Sequence, residues 1–164
     1  MASWFDIIYE DPIPHGQVYP WPRRVGIETS AWCNRRCPFC PAGGPRRRPE
    51  QKLMKWELFT RIVDEMAAHD YRGVCSLFLL NEPLVNARIH EELAYVRDHV
   101  PRCSRFLSTN SDAIKDRGDL ERLFDAGLTV INLNFYDEPT AVRVLGILER
   151  GGSWEMTEHK YHRH

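Results

Sequence analysis

Along the chain, the apolar and polar positions predict strands and helices in strict alternation. Residues 24–29 (RVGIET) read as a short strand. From Met54 to His69 the apolar positions Met54, Leu58, Ile62, Val63 and Met66 recur at helical spacing, an amphipathic helix. Gly73 leads into a second strand, Val74–Leu80, and a second helix fits Ala87–His99. A third strand, Ser104–Ser108, ends in the polar turn Thr109–Asp112. A third helix, Asp119–Asp125, is closed by Gly127, and the fourth strand is Leu128–Phe135. Helical periodicity resumes over Thr140–Leu148. Upstream, Pro12, Pro14, Pro20 and Pro22 exclude a long helix, so residues 1–23 read as an extended arm. Residues 24–150 are then the core and 151–164 a tail.

The order βαβαβαβα argues for an α/β fold, a parallel sheet with crossover helices. In such folds ligands gather at the C-terminal ends of the strands. The polar motifs fall there. A cysteine-bearing loop follows the first strand, Asn81-Glu82-Pro83 the second and Ser108-Thr109-Asn110 the third, and the fourth carries Asn132, Asn134 and Asp137. Any one of these reads equally well as a turn or cap. Four at equivalent ends predict a single functional face.

Composition narrows the class. At 164 residues, with 43% hydrophobic and 27% charged residues, the chain suits one soluble domain. A formal net charge of −1 points to neither a nucleic-acid nor an acidic-membrane partner. No apolar run is long enough to span a bilayer, and the first residues lack a signal-peptide pattern, so a cytoplasmic location is expected. Five cysteines argue against a disulfide framework, and Cys75 and Cys103 read as small buried hydrophobes.

The remaining thiols are the chemical centre. Cys33, Cys37 and Cys40 lie within ETSAWCNRRCPFCP, spaced C-x3-C-x2-C, too crowded to pair off as disulfides. Such a loop suits a soft metal centre, zinc or iron–sulfur. A structural zinc site closes with four protein ligands, whereas three cysteines leave a position open.

With Phe39 directly before the third cysteine, this motif resembles the signature of the radical S-adenosylmethionine (radical SAM) enzymes, and VGIETSAWCN resembles their first strand and cluster loop. The resemblance covers roughly residues 24–137. It implies a partial (β/α) barrel, of which about four βα units are present here. It also implies a 4Fe–4S cluster on Cys33, Cys37 and Cys40 whose open iron is chelated by SAM. LLNEPL resembles the family's glycine-glycine-glutamate-proline segment, with Leu80-Asn81 in place of the glycines; Asn81, Glu82 and Pro83 would then serve the SAM amino group. Phe39 would pack near the adenine. FLSTNS resembles a strand ending Thr-Asn-Gly, with Ser111 in the glycine's place, and Ser108, Asn110 and Asn132 would reach the ribose, the SAM carboxylate or the substrate.

The implied reaction is reductive cleavage of SAM to a 5′-deoxyadenosyl radical that abstracts hydrogen from a substrate, in peptide maturation or in cofactor or natural-product biosynthesis. A reduced flavodoxin or ferredoxin would supply the electron. Four units against the family's six leave the fourth strand with an open edge. The chain is then a piece of a longer enzyme, or a short member completed by a partner chain. Trp154–Met156 could begin a fifth strand, while His159, His162 and His164 read as part of a solvated tail. The basic run Arg46–Arg48 reads as a solvated loop or a lid beside the cluster. Two other classes stand beside the enzyme: a non-catalytic accessory subunit of the same fold, and a zinc domain using the three cysteines and a histidine.

Overall fold

The computed structural model describes residues 21–41 and 53–150, with the backbone strands Trp154–Thr157 and Lys160–Arg163. The expected arm before residue 21 and the loop holding Arg46–Arg48 lie outside the described residues, as do the side chains of His159, His162 and His164. The elements are β1 (Arg24–Gly26), α1 (Trp56–Ala68), β2 (Val74–Ser76), a 3₁₀ turn (Pro83–Val85), α2 (Ile89–His99), β3 (Ser104–Thr109), α3 (Arg117–Asp125), β4 (Val130–Leu133), α4 (Glu138–Glu149), β5 (Trp154–Thr157) and β6 (Lys160–Arg163).

The sheet order is β1-β2-β3-β4-β6-β5. Its first three pairings are parallel, and the register Gly26–Ser76–Phe106–Val130 runs as one row across them. The sheet is an open arc of four parallel strands, a partial barrel. Side chains alternate between its faces. Cys75, Leu77, Leu107, Ile131 and Leu133 join the helix residues Phe59, Val63, Leu93, Leu120 and Val144 in one core. On the other face Val74, Phe106 and Val130 cluster with Phe78 near the strand starts. Two residues further along, the same face carries Ser108 and Asn132, so it changes from apolar to polar toward the C-terminal ends.

The observed boundaries differ from expectation where side chains replace regular backbone bonds. β2 stops at Ser76 instead of Leu80, because the next amides turn to side-chain acceptors. Leu79 N donates to Asn81 Oδ1 at 3.0 Å and Leu80 N to Glu28 Oε1 at 2.9 Å. α3 begins two residues earlier than expected because Asp116 caps it, accepting from Asp119 N at 3.1 Å while Asp119 accepts from Asp116 N at 3.1 Å. α4 likewise begins at Glu138, since Asp137 accepts from Thr140 N at 2.9 Å.

The tail is the largest difference from expectation. A fifth strand does lie at Trp154–Thr157, but it turns back as an antiparallel hairpin with β6, and β6 pairs antiparallel with β4 through Ile131–Tyr161 and Asn132–Lys160. The edge of β4 expected to be open is therefore covered, which removes unpaired backbone groups that would template aggregation.

Candidate cofactor site at the strand ends

The cysteine loop is tied down on both sides. Upstream of the thiols, Ser30 bridges to Leu53, and Ser30 Oγ accepts from Asn81 Nδ2 at 3.1 Å. Glu82 N donates to Trp32 O at 2.9 Å, fastening the loop to the exit of β2. Cys33, Cys37 and Cys40 are all free and half-buried. A tight turn joins the last two, with Cys40 N donating to Cys37 O at 3.1 Å. Cys33 Sγ receives Arg35 N at 3.4 Å and lies 3.9 Å from Asn110 Nδ2, so N–H groups face a sulfur that would carry negative charge on a metal.

Glu82 is a buried hub rather than an exposed turn residue. Only 3% accessible, it accepts from Leu84 N at 3.0 Å and Thr109 Oγ1 at 2.6 Å on one oxygen, and from Asn110 N at 2.7 Å on the other. Burial pushes its pKa above the ordinary carboxylate value, and these donors offset part of that rise. Pro83 opens the 3₁₀ turn behind it and is buried. At the next strand ends, Ser108 Oγ accepts from Asn132 Nδ2 at 3.1 Å and Asn134 Nδ2 at 2.9 Å.

These groups open onto one cleft of ≈ 260 Å³. The structure brings Cys33, Cys37, Cys40, Phe39, Asn81, Glu82, Ser108 and Asn110 to its wall, while Pro83 and Asn132 stand behind it. The rim is apolar: Phe39 is 70% exposed, and Leu79 and Tyr136 are exposed beside it. Phe39 and Tyr136 face each other with ring centroids 5.7 Å apart. Phe39 is thus no core residue, and Tyr136 is a wall residue that sequence reasoning missed. Its phenol is held above its ordinary value by burial and by the neighbouring thiols, Cys37 first.

Sequence reasoning also missed an ion-pair system around Arg35. Its guanidinium donates from Nε to Asp112 at 2.7 Å, pairs through Nη2 with both Asp112 and Asp137, and lies 5.5 Å from the Tyr136 ring centre. The available signal was an arginine inside the cysteine loop and an aspartate just beyond each of two strand ends.

The donor set decides what the loop can hold. Among the described residues no three His, Cys, Asp or Glu side chains gather as a single-ion site. Cys33, Cys37 and Cys40 are soft donors lining one cleft, a set that a metal–sulfur centre would suit.

An open parallel sheet with a three-thiol loop at its C-terminal edge defines a class. The Radical SAM superfamily model matches residues 27–159, and the chain belongs to that family. A curated relative, the S-adenosyl-L-methionine-dependent 2-deoxy-scyllo-inosamine dehydrogenase of Niallia circulans, is 24% identical over 104 residues, 63% of this chain and 41% of the relative. Two solved structures share the fold. BtrN in complex with AdoMet and 2-DOIA has a TM-score of 0.70 at 19% identity, covering 80% of this chain and 52% of that one. Selenomethionine BtrN in an open conformation has a TM-score of 0.61 at 21% identity, covering 68% and 49%. The chain therefore spans about half the length of the relatives it matches. Among the described residues no helix is long and apolar enough to cross a membrane.

Proposed function

We propose that this chain is the cofactor-binding portion of a radical SAM oxidoreductase, with Cys33, Cys37 and Cys40 holding a 4Fe–4S cluster and SAM occupying the cleft beside them. One observation carries the reading: the three thiols and the ends of β2, β3 and β4 line the same cleft. Cys33, Cys37 and Cys40 would hold the cluster, which would supply one-electron reducing chemistry to SAM bound beside it. The chain's residues orient and shield. Glu82 Oε2 accepts one internal bond and keeps capacity for the SAM ammonium group. Ser108 Oγ accepts two amide N–H groups, which leaves its own O–H to donate toward a carboxylate or ribose oxygen. Asn81 joins its own turn to Ser30 of the cysteine loop and, from the cleft wall, keeps one amide N–H and a lone pair for the SAM amino acid end. Phe39 and Tyr136 pack over the cleft mouth and exclude water.

The relative's name makes S-adenosylmethionine-dependent dehydrogenation of an amino cyclitol the first reaction class to test. The experiment is anaerobic reconstitution with iron and sulfide, reduction with dithionite, addition of SAM and assay for 5′-deoxyadenosine. A brown protein that forms the nucleoside, with loss in Cys33→Ala, supports the reading. A brown but inactive protein would instead indicate an accessory chain, and a colourless one binding zinc would refute the cluster.

A further inference from the structure

Arg35 sits midway between Cys33 and Cys37, and both of its carboxylate partners are themselves fixed. Asp112 follows Ser111, which holds a left-handed φ of 66° and is fully buried. Asp112 also accepts from Asn34 Nδ2 at 2.8 Å, and Asn34 Oδ1 accepts from Asn110 Nδ2 at 2.7 Å. Asp137 is the N-cap of α4. One guanidinium therefore joins the thiol loop to the exit of β3 and the start of α4. The side chains of Arg35 and Asp112 are only 20% and 25% accessible, so the pair is less screened than an exposed one. The Arg fork spans two anchors at once, which an ammonium point charge cannot reproduce.

We propose that Arg35 is a latch: a positioning residue that holds the Cys33–Cys37 segment in its metal-ready shape before any cofactor binds. Its geometry stands without the cluster; only its purpose rests on the function proposed above. The latch moves part of the loop-ordering cost from metal uptake to folding. It also sets the thiol spacing independently of the metal.

The test is alkylation of the reduced, metal-free chain by a bulky maleimide, followed cysteine by cysteine by mass spectrometry. Cys75 and Cys103, 0% and 3% accessible, report global opening in the same sample. Arg35→Gln is expected to speed alkylation of Cys33, Cys37 and Cys40 about fivefold, about 1 kcal/mol of latch free energy, and to leave Cys75 and Cys103 unchanged. Arg35→Lys should recover part of the protection. Arg35→Gln with Asp112→Asn should be accelerated by less than the product of the two single effects, because the two residues share one ion pair. Equal rates in Arg35→Gln and the parent chain overturn the latch, as does parallel acceleration of Cys75 and Cys103. Iron and sulfide uptake measured on the same samples separates the two readings. A parent chain that takes up neither counts against the cluster and leaves the alkylation result standing.

Discussion

Replacing Ser111 by glycine should stabilise this protein, and the structure gives the size of the effect. Ser111 has a φ of 66°, a region in which a side chain costs about 1–2 kcal/mol relative to glycine. Its backbone cannot relax out of it. Ser111 N donates to Thr109 Oγ1 at 3.0 Å, and Ser111 O accepts from Ile114 N at 3.3 Å and Arg143 Nη2 at 3.3 Å. Its hydroxyl is buried without a hydrogen-bond partner, a further cost of about 1–3 kcal/mol. Against these stand the extra chain entropy of glycine when unfolded, about 0.5–1 kcal/mol, and the lost burial of one methylene, about 0.8 kcal/mol. The balance is a gain of about 2 kcal/mol, or a rise in Tm of roughly 4–8 °C for a chain of this size.

Urea unfolding of the parent chain, Ser111→Gly and Ser111→Ala measures the gain and divides it. Alanine removes the unpaired hydroxyl and keeps the Cβ strain, while glycine's relief of that strain is offset by its chain entropy and lost burial, so both variants should exceed the parent by similar margins. A glycine variant less stable than the parent refutes the reasoning. It would mean that the hydroxyl or the Cβ makes a favourable contact that outweighs the backbone cost.

Other expectations concern charge and turns. Arg35 holds the Asp137 carboxyl down at about 2, so the stability it contributes is present above the ordinary carboxylate range and disappears as the pH falls through about 2. A carbon-detected NMR titration should place that midpoint near 2 in the parent and move it up toward the ordinary value in Arg35→Gln; an unmoved midpoint would exclude Arg35 as the cause. Gly127, at φ +114°, would place a Cβ 2.7 Å from Arg97 Cβ, so Gly127→Ala should cost about 2 kcal/mol in chemical denaturation, and a neutral result would contradict the placement of α2 against the end of α3. Glu92 is fully buried and accepts from Asn86 Nδ2 at 2.9 Å, with Arg88 alongside at 3.7 Å; Glu92→Ala should cost about 3 kcal/mol, and a loss under 1 kcal/mol would show that this node is not held as described.

The parallel sheet was legible because each layer writes its own period into the chain. Phe59, Val63 and Met66 keep the helical spacing that buries one face of α1. Val74 and Cys75 belong to adjacent positions of a strand buried on both faces, which reads as a continuous apolar run. Element ends were less legible, because they are set by single side chains with no period. Asn81 and Glu28 take the amides that would have prolonged β2, and Asp116 starts α3 early. β5 lies where Trp154–Met156 reads as the start of a fifth strand, but its return as a hairpin was not legible. Each strand is four residues long, and β6 pairs antiparallel with β4 in a chain whose earlier order announced only parallel crossovers.

The cleft was legible as a place because the C-terminal ends of parallel strands must converge, whichever residues they carry. The division of labour within it was not. Asn81, Glu82 and Ser108 are all polar residues beside turns, and composition treats them alike. Bonding separates them: Asn81 ties its own turn to Ser30 of the cysteine loop, Glu82 retains acceptor capacity, and Ser108 is turned into a donor by the two amides that it accepts. Arg35 is the extreme case, since its partners lie 77 and 102 residues away and meet it only once the sheet has formed. A three-cysteine motif therefore marks where the chemistry is anchored. The side chains that hold those cysteines in place are chosen by the fold, from residues that the motif does not contain.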